Sequence, residues 1–296
     1  MKRLLLIDSS SYIYRAFFAL PPLTSEKGLP TGAIYGFIRM LLKLLEDFQT
    51  DYVIAVFDAK GKTIRHEAYQ DYKATRRETP NDLKPQIPYI KQILTLLGIK
   101  IVEMEKYEAD DIIATLSKEA TKNGFEVIVV SPDKDMIQLV GEGIKVYNPI
   151  SEILYDKIEV YKKYGVEANQ FLDYLTLIGD TIDNVPGIKG VGPKAARQLL
   201  NQFGSLERIM ENIEKLPQKY RKLFKGISFE DVKKSRELLK LYTVPFDIQI
   251  ESLKREKADF IKLKELFGEL GFKSFLKDSP KEKVKEKREF EQKSLF

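Results

Sequence analysis

The sequence has no cysteine, no tryptophan and a single histidine, His66. Without thiols, disulfides, zinc–thiolate sites and cysteine nucleophiles are excluded. One histidine rules out any site built on several imidazole ligands. A metal held by this chain must sit mainly on oxygen, which points to Mg²⁺, Mn²⁺ or Ca²⁺. Long apolar runs are missing too. None approaches the ~20 residues needed to cross a bilayer, so no membrane partner is expected. The opening Met1-Lys2-Arg3 before Leu4-Leu5-Leu6-Ile7 resembles the start of a signal peptide. However, Asp8 arrives too early for an apolar h-region, and no small-residue cleavage site follows. The run reads as a buried β-strand, and the expected location is cytoplasmic.

What is present suits a globular chain. It has 296 residues, 43% of them hydrophobic, enough for one large domain or two ordinary ones. The net charge is +5 and the pI about 8.9, a weak pointer to nucleic acid. Short runs rich in Val, Ile and Leu predict strands at Leu4–Ile7, Tyr52–Phe57, Ile99–Val102, Val127–Val130 and Ile144–Tyr147. Helical patterns alternate with them over Ala33–Phe48, Pro85–Leu97 and Ala109–Lys122. That alternation predicts an α/β fold, a mostly parallel sheet covered by helices, across residues 1–165. Residues 166–276 read as a smaller all-helical domain. Residues 277–296, dominated by Lys, Arg and Glu, read as a charged flexible tail.

Three of the apolar runs lead into aspartate, at Asp8, at Asp58 and, through Ser131-Pro132, at Asp133. In an open parallel sheet ligands bind beyond the carboxyl ends of the strands, so these three should line one edge. Asp135 follows two residues later. Glu108, Asp110 and Asp111 crowd the start of a predicted helix, more acid than capping needs. Asp180 and Asp183 would share a face if helical. Each alone reads as a cap or turn former. Jointly, converging carboxylates need a counter-charge. Two divalent ions would supply it, and could activate water against a phosphodiester.

A basic, aromatic segment lies between Asp58 and Pro85, with Lys60, Lys62, Arg65, Tyr69, Tyr72, Lys73, Arg76 and Arg77. Positions 65, 69, 72, 73 and 76 would share one helix face, where Arg and Lys meet phosphates and Tyr stacks on a base. The competing reading is a solvated helix face. Further on, Gly187-Ile188-Lys189-Gly190-Val191-Gly192-Pro193-Lys194 precedes a helical stretch, a helix-hairpin-helix pattern. Its glycines permit close approach to a phosphate, so Gly187, Lys189, Gly190, Gly192 and Lys194 are expected to contact duplex backbone without reading sequence.

Taken together, these stretches resemble the 5′ nuclease (flap endonuclease) family, especially the bacterial 5′→3′ exonuclease domain at the front of DNA polymerase I, here standing alone. The resemblance covers roughly residues 1–280. It rests on Ile7–Tyr12, Phe57–Thr63, Tyr72-Lys73 with Arg76, Tyr107–Asp111, Asp133–Met136 with Gln138–Val140, and Gly179–Gly192. It implies one metal cluster of Asp8, Asp58, Glu108, Asp110 and Asp111, and another of Asp133, Asp135, Asp180 and Asp183. It places Lys73 and Arg76 against the scissile phosphate in a helical arch over about residues 60–97, with Arg65 also in the arch. It implies two or more Mg²⁺ ions (Mn²⁺ as substitute) and K⁺ at the hairpin. Ser9 and Pro132 depart from glycines expected there.

The sequence closes Gln292-Lys293-Ser294-Leu295-Phe296. This resembles the bacterial sliding-clamp-binding peptide, with Gln292, Leu295 and Phe296 as its contacts and Lys293 a departure from the usual Leu. The leading expectation is a monomeric, structure-specific 5′ nuclease that acts at single-strand/duplex junctions, RNA-primed ones included, in replication and repair. The alternatives are a non-catalytic, clamp-tethered DNA-binding accessory protein and a metal-dependent ribonuclease on a similar scaffold.

Overall fold

The computed structural model describes residues 2–76, 78–245 and 249–277. Six strands form one sheet: β1 (Lys2–Asp8), β2 (Tyr52–Val56), β3 (Lys100–Val102), β4 (Phe125–Val130), β5 (Ile144–Asn148) and β6 (Ile153–Tyr155). Their order is β3-β2-β1-β4-β5-β6. β1 pairs in parallel with β2 and β4, β4 pairs in parallel with β5, and β6 runs antiparallel to β5. The first helices are α1 (Ser9–Ala19), α2 (Gly32–Phe48), α3 (Ile64–Ala68), α4 (Gln86–Leu96), α5 (Ala109–Lys122) and α6 (Lys157–Tyr164). After them come α7 (Phe171–Ile178), α8 (Pro193–Phe203), α9 (Leu206–Glu211), α10 (Gln218–Phe224), α11 (Phe229–Leu239), α12 (Phe260–Glu269) and α13 (Lys273–Lys277).

The described chain divides into two compact units interleaved in sequence. One comprises Met1–Tyr12, Thr50–Glu78 and Val102–Lys254. In it Leu4, Leu5, Leu6 and Ile7 are wholly buried, as expected of a central parallel strand covered on both faces. α5 turns Ile112, Ile113, Leu116 and Ala120 inward onto β4 and β1. The same apolar core runs on through Phe171, Leu175 and Leu177 of α7, Leu199 and Leu200 of α8, and Leu238 and Leu239 of α11. Helices α7 to α11 thus share their core with the sheet.

The other unit comprises Ile13–Gln49, Thr79–Ile101 and the described residues from Arg255. Its α2 has no side-chain cap of its own at Thr31. Gln86, at the start of α4, supplies one, its Oε1 accepting from Ala33 N at 2.8 Å and Ile34 N at 3.2 Å. Tyr35 of α2 packs on Phe272 and Phe275 at ring separations of 5.4 and 5.1 Å.

The five predicted strands all form, within a residue or two. β6 and α1 were not anticipated. Two helix expectations fail. Residues 65–76 do not make one helix: α3 ends at Ala68, Tyr69 turns extended, and Lys73 adopts a left-handed φ of 57°. Asp180 and Asp183 lie in a turn closed by Asp180–Val185 backbone pairing, not on a helix. In both places tertiary hydrogen bonds override the local pattern. Between residues 60 and 97 the described helices are α3 and α4. No helix among the described residues is long and apolar enough to cross a membrane.

The loop from α7 to α8 depends on two glycines pressed together. Gly179 has φ +76°, and a Cβ there would stand 2.4 Å from Gly187 N. A Cβ on Gly187 would meet the Ile178 carbonyl carbon at 2.3 Å. Gly192, the N-cap of α8, is extended, and a Cβ there meets nothing within 4 Å. Gly179→Ala is therefore expected to cost roughly 2 kcal/mol or more, while Gly192→Ala leaves stability within about 0.5 kcal/mol. Thermal unfolding of the two variants, compared with the parent, measures the difference; equal losses would refute the assignment.

Candidate functional site: an acidic cluster at the carboxyl edge of the sheet

β2, β1 and β4 are adjacent and parallel, so their carboxyl ends bring Asp8, Asp58 and the Ser131–Asp135 segment to one edge. Asp8 is buried. Its Oδ1 accepts from Ser11 N at 3.1 Å and its Oδ2 from Ser131 Oγ at 2.7 Å. Ser131 also accepts from Asp133 N at 3.0 Å, so one hydroxyl joins the ends of β1 and β4. Asp58 is exposed and caps α5 from outside, its Oδ1 accepting from Ala109 N at 3.0 Å. Asp133 accepts from Asp135 N at 2.9 Å, the short-turn geometry that Asp favours.

The mouth of α5 is held by cations. Arg65 is only 2% exposed. Its Nη1 donates to Glu108 Oε2 at 3.1 Å and Asp111 Oδ2 at 2.7 Å, and its Nη2 to Asp111 Oδ1 at 2.7 Å. Nε reaches the Leu238 carbonyl at 2.9 Å, and Nη2 the Lys240 carbonyl at 2.6 Å. All five guanidinium N–H groups are thereby used. Asp111 also accepts from Tyr242 N at 2.8 Å and Glu108 N at 3.2 Å. Asp111, expected among the metal ligands, thus has both oxygens engaged in anchoring Arg65. Arg65, expected to face DNA, is locked inside.

A second set of contacts joins the 69–76 turn to the Asp180–Val185 turn. Lys73 Nζ lies 2.7 Å from Glu108 Oε1 and 3.6 Å from Asp183 Oδ2. Arg76 donates to Asp183 Oδ1 from Nη2 at 2.7 Å and Nε at 3.2 Å. Tyr72, expected to stack on a base, is 3% exposed, and its hydroxyl faces Glu108 Oε2 at 3.1 Å and Asp183 Oδ2 at 3.3 Å. Asp180 accepts from Ile182 N and Asp183 N at 2.7 and 3.1 Å, and pairs with Lys134 Nζ at 3.0 Å. Ser131, Lys134 and Tyr242 escaped the sequence reading. The Ser-Pro-Asp turn after a strand was the available signal for Ser131; Tyr242 acts through its backbone, which leaves none.

Burial and repulsion between neighbouring carboxylates raise several of their pKa values. Burial pushes Asp8 up to about 6, against the Ser11 and Ser131 hydrogen bonds and with repulsion from Asp58 added. Burial, then repulsion from Asp133 and Asp8, holds Asp110 well above the carboxylate range. Burial, then Asp133 and Asp180, does the same to Asp135, whose buried Oδ1 has no hydrogen-bond partner. Asp133 is raised by burial and by Asp183 and Asp180. Burial opposes charge on Lys73, but Glu108 and Asp183 outweigh it and raise its pKa.

Among the described residues no three His, Asp or Glu side chains already form a group that could hold a metal ion. Arg65, Lys73, Arg76 and Lys134 stand between them instead. The donors nonetheless suit a hard divalent cation: all are oxygen, most are buried, and one is orphaned. The hairpin residues lie apart from this cluster in character, with Lys189, Gly190, Gly192 and Lys194 all exposed. Gly192, Pro193, Lys194, Ala195, Gln198, Lys219 and Tyr220 line an open groove of about 370 Å³. Gln292, Leu295 and Phe296, and Arg77 of the basic segment, lie outside the described residues.

Arg65→Met should destabilise the fold by about 3–5 kcal/mol, because it strands buried carboxylates. Asp111→Leu should cost a similar amount, and the double variant much less than the sum. Urea unfolding of the four proteins measures the coupling. Strict additivity would show that the pair is not the anchor described.

Comparison with known proteins places this architecture. The sequence model of the 5'-3' exonuclease N-terminal resolvase-like domain matches residues 3–165, and that of the 5'-3' exonuclease C-terminal SAM fold matches residues 166–260. A 5'-3' exonuclease of Aquifex aeolicus is 48% identical over 95% of this chain and 96% of its own length. A DNA polymerase I of Caldicellulosiruptor bescii is 39% identical over 93% of this chain, which spans only 33% of that protein. Among solved structures, the T5 D15 protein co-crystallized with metal ions aligns at TM-score 0.67 with 21% identity, covering 81% of this chain and 90% of that one. The catalytic core of Rad2 in complex with DNA substrate aligns at TM-score 0.63 with 22% identity, covering 90% and 85%. Both show the same fold. With both of the family's domains matched in order and a relative of nearly equal length at 48% identity, the chain belongs to the 5'-3' exonuclease family.

Proposed function

We propose that this protein is a divalent-metal-dependent, structure-specific 5′ nuclease. It hydrolyses phosphodiester bonds at 5′ flaps, nicks and primer ends of DNA, as a monomer in the cytoplasm, during replication and repair. One observation carries the reading: carboxylates, most of them buried, from three adjacent strand ends, the mouth of α5 and the 180–185 turn share a site with Lys73 and Arg76. Bound Mg²⁺ or Mn²⁺ would neutralise the carboxylates and activate water for attack on phosphorus. Asp8, Asp110, Asp133 and Asp135 are the first candidates to hold it, with Asp58, Glu108, Asp180 and Asp183 around them. Asp111 acts by fixing Arg65 and, through it, Glu108. Ser11 and Ser131 orient Asp8. Lys73 and Arg76 stabilise charge on the scissile phosphate.

The exposed hairpin Gly187–Lys194 and its groove take the duplex backbone. Gly192, the N-cap of α8, and the Lys194 and Lys219 charges suit a phosphate. K⁺ at the hairpin belongs to the same reading. The tail pattern of Gln292 with Leu295 and Phe296, after a charged stretch, supports binding to a sliding clamp, which raises local concentration at the junction.

Cleavage of a labelled 5′-flap duplex, with and without Mg²⁺, tests the central claim. Asp133→Ala should lower the rate by at least about a hundredfold; junction binding with no cleavage in Mg²⁺ or Mn²⁺ would replace it with the accessory-protein reading. Removing residues 292–296 should abolish clamp stimulation while leaving clamp-free cleavage intact; unchanged stimulation refutes the tail assignment.

The pH dependence of stability gives an independent check. Folding raises the Asp8 carboxyl from its ordinary 3.8 to about 6. The folded state therefore binds more protons than the unfolded chain in that window, and metal-free stability falls as pH rises through it. A divalent ion removes the penalty only where the carboxylates are ionised. The gain in Tm on adding Mg²⁺ should thus be larger above pH 7 than near pH 5. An equal or larger gain near pH 5 would contradict carboxylate ligation.

A further inference from the structure

The 69–76 turn and the 180–185 turn are zipped together by backbone as well as by side chains. Lys73 N donates to the Asp183 carbonyl at 3.0 Å. Asn184 Nδ2 donates to the Asp71 carbonyl at 2.8 Å. Lys73 and Asn184 both hold left-handed φ values, 57° and 56°. Such backbone persists only where the surroundings fix it. The two turns are thus a rigid frame, and the parts free to move are the long side chains they carry.

Those side chains put positive charge on Glu108 and Asp183, which border the first candidates for metal ligation. Lys73 Nζ sits on Glu108 and within 3.6 Å of Asp183; Arg76 covers Asp183 Oδ1. Lys73 is partly buried, with 10% of its side chain exposed, whereas 46% of the Arg76 side chain is exposed. A divalent ion entering between Glu108 and Asp183 would meet both cations at close range, in surroundings that screen charge poorly. The charge of the ammonium and the guanidinium therefore opposes a metal ion on those carboxylates.

We propose that Lys73 and Arg76 are built-in competitors of the divalent metal and so set its affinity. In the metal-free protein they neutralise Glu108 and Asp183; metal binding displaces them and frees their charge for a phosphate. The inference rests on the metal-dependent reading above. It adds that metal and the two cations are antagonistic, and the linkage must be reciprocal: what loosens Lys73 tightens metal, and the reverse. An ammonium on a four-carbon stem can swing away while its backbone stays pinned to Asp183.

Two measurements on the full chain, without DNA, test this. In calorimetric titration with Mg²⁺, Lys73→Met and Arg76→Met, which keep much of each apolar stem without its charge, should each bind metal about tenfold more tightly than the parent. In the parent, labelling of the Lys73 amine by an amine-reactive ester, located by mass spectrometry, should accelerate when Mg²⁺ saturates the protein. Unchanged or weaker affinity in both variants overturns the competition and leaves metal binding standing. So does metal binding to the parent that leaves Lys73 labelling unaltered. Absence of Mg²⁺ binding in the parent and in both variants removes the metal reading and this inference with it.

Discussion

Nine carboxyl groups brought to one edge of a sheet repel one another, and the structure around them is arranged to answer that repulsion. Among the described residues, four cations stand between them. Arg65 ties Glu108 to Asp111, Lys73 and Arg76 cover Glu108 and Asp183, and Lys134 covers Asp180. At Asp8, Asp110, Asp133 and Asp135, burial and repulsion from neighbouring carboxylates raise the pKa in spite of any nearby lysine. The site thus has a half satisfied from within and a half that gains most from an outside cation. Such a division suits a nuclease, whose acidic groups must wait in a stable fold before they hold metal and substrate.

A buried acid elsewhere in the same fold shows what a purely structural role looks like. Asp173 of α7 is 6% exposed, like several site residues. Its Oδ2 accepts from Leu206 N at 3.1 Å, capping the turn into α9, and its Oδ1 pairs with Arg236 at 3.1 Å. Both oxygens have local partners. Asp135 differs in this respect: its Oδ1 is buried and has no hydrogen-bond partner among the described residues. Burial alone does not separate the two; partner count and like-charge neighbours do.

The sheet was legible in the sequence because a central parallel strand must be apolar on both faces, and Leu4–Ile7 or Val127–Val130 offers little else. The aspartates following those runs marked the acidic edge for the same reason. β6 was not legible, since Ile153–Tyr155 is three residues in a turn-rich stretch. The 65–76 segment misled because helical spacing is satisfied on paper, while Tyr69 turns extended and Lys73 takes a left-handed backbone pinned to the Asp183 carbonyl more than a hundred residues away. Arg65 and Tyr72 were singled out as residues facing DNA, whereas both turn inward onto Glu108, Asp111 and Asp183. Composition marks a basic aromatic segment without saying whether its charges face solvent or carboxylates.

The reach of Arg65 has a consequence for synthesis. Its Nε and Nη2 donate to the carbonyls of Leu238 and Lys240, which lie 173 and 175 residues further along the chain. While a ribosome is still extending the second half, that guanidinium has its carboxylates but not its carbonyls, and Asp111 lacks the Tyr242 amide. Domains emerging from the ribosome generally fold in order from the amino end. Here the acidic edge is complete only when the segment after α11 has been made and folded back. A nascent or prematurely terminated chain therefore carries the carboxylates of a nuclease without the finished frame that holds them in place.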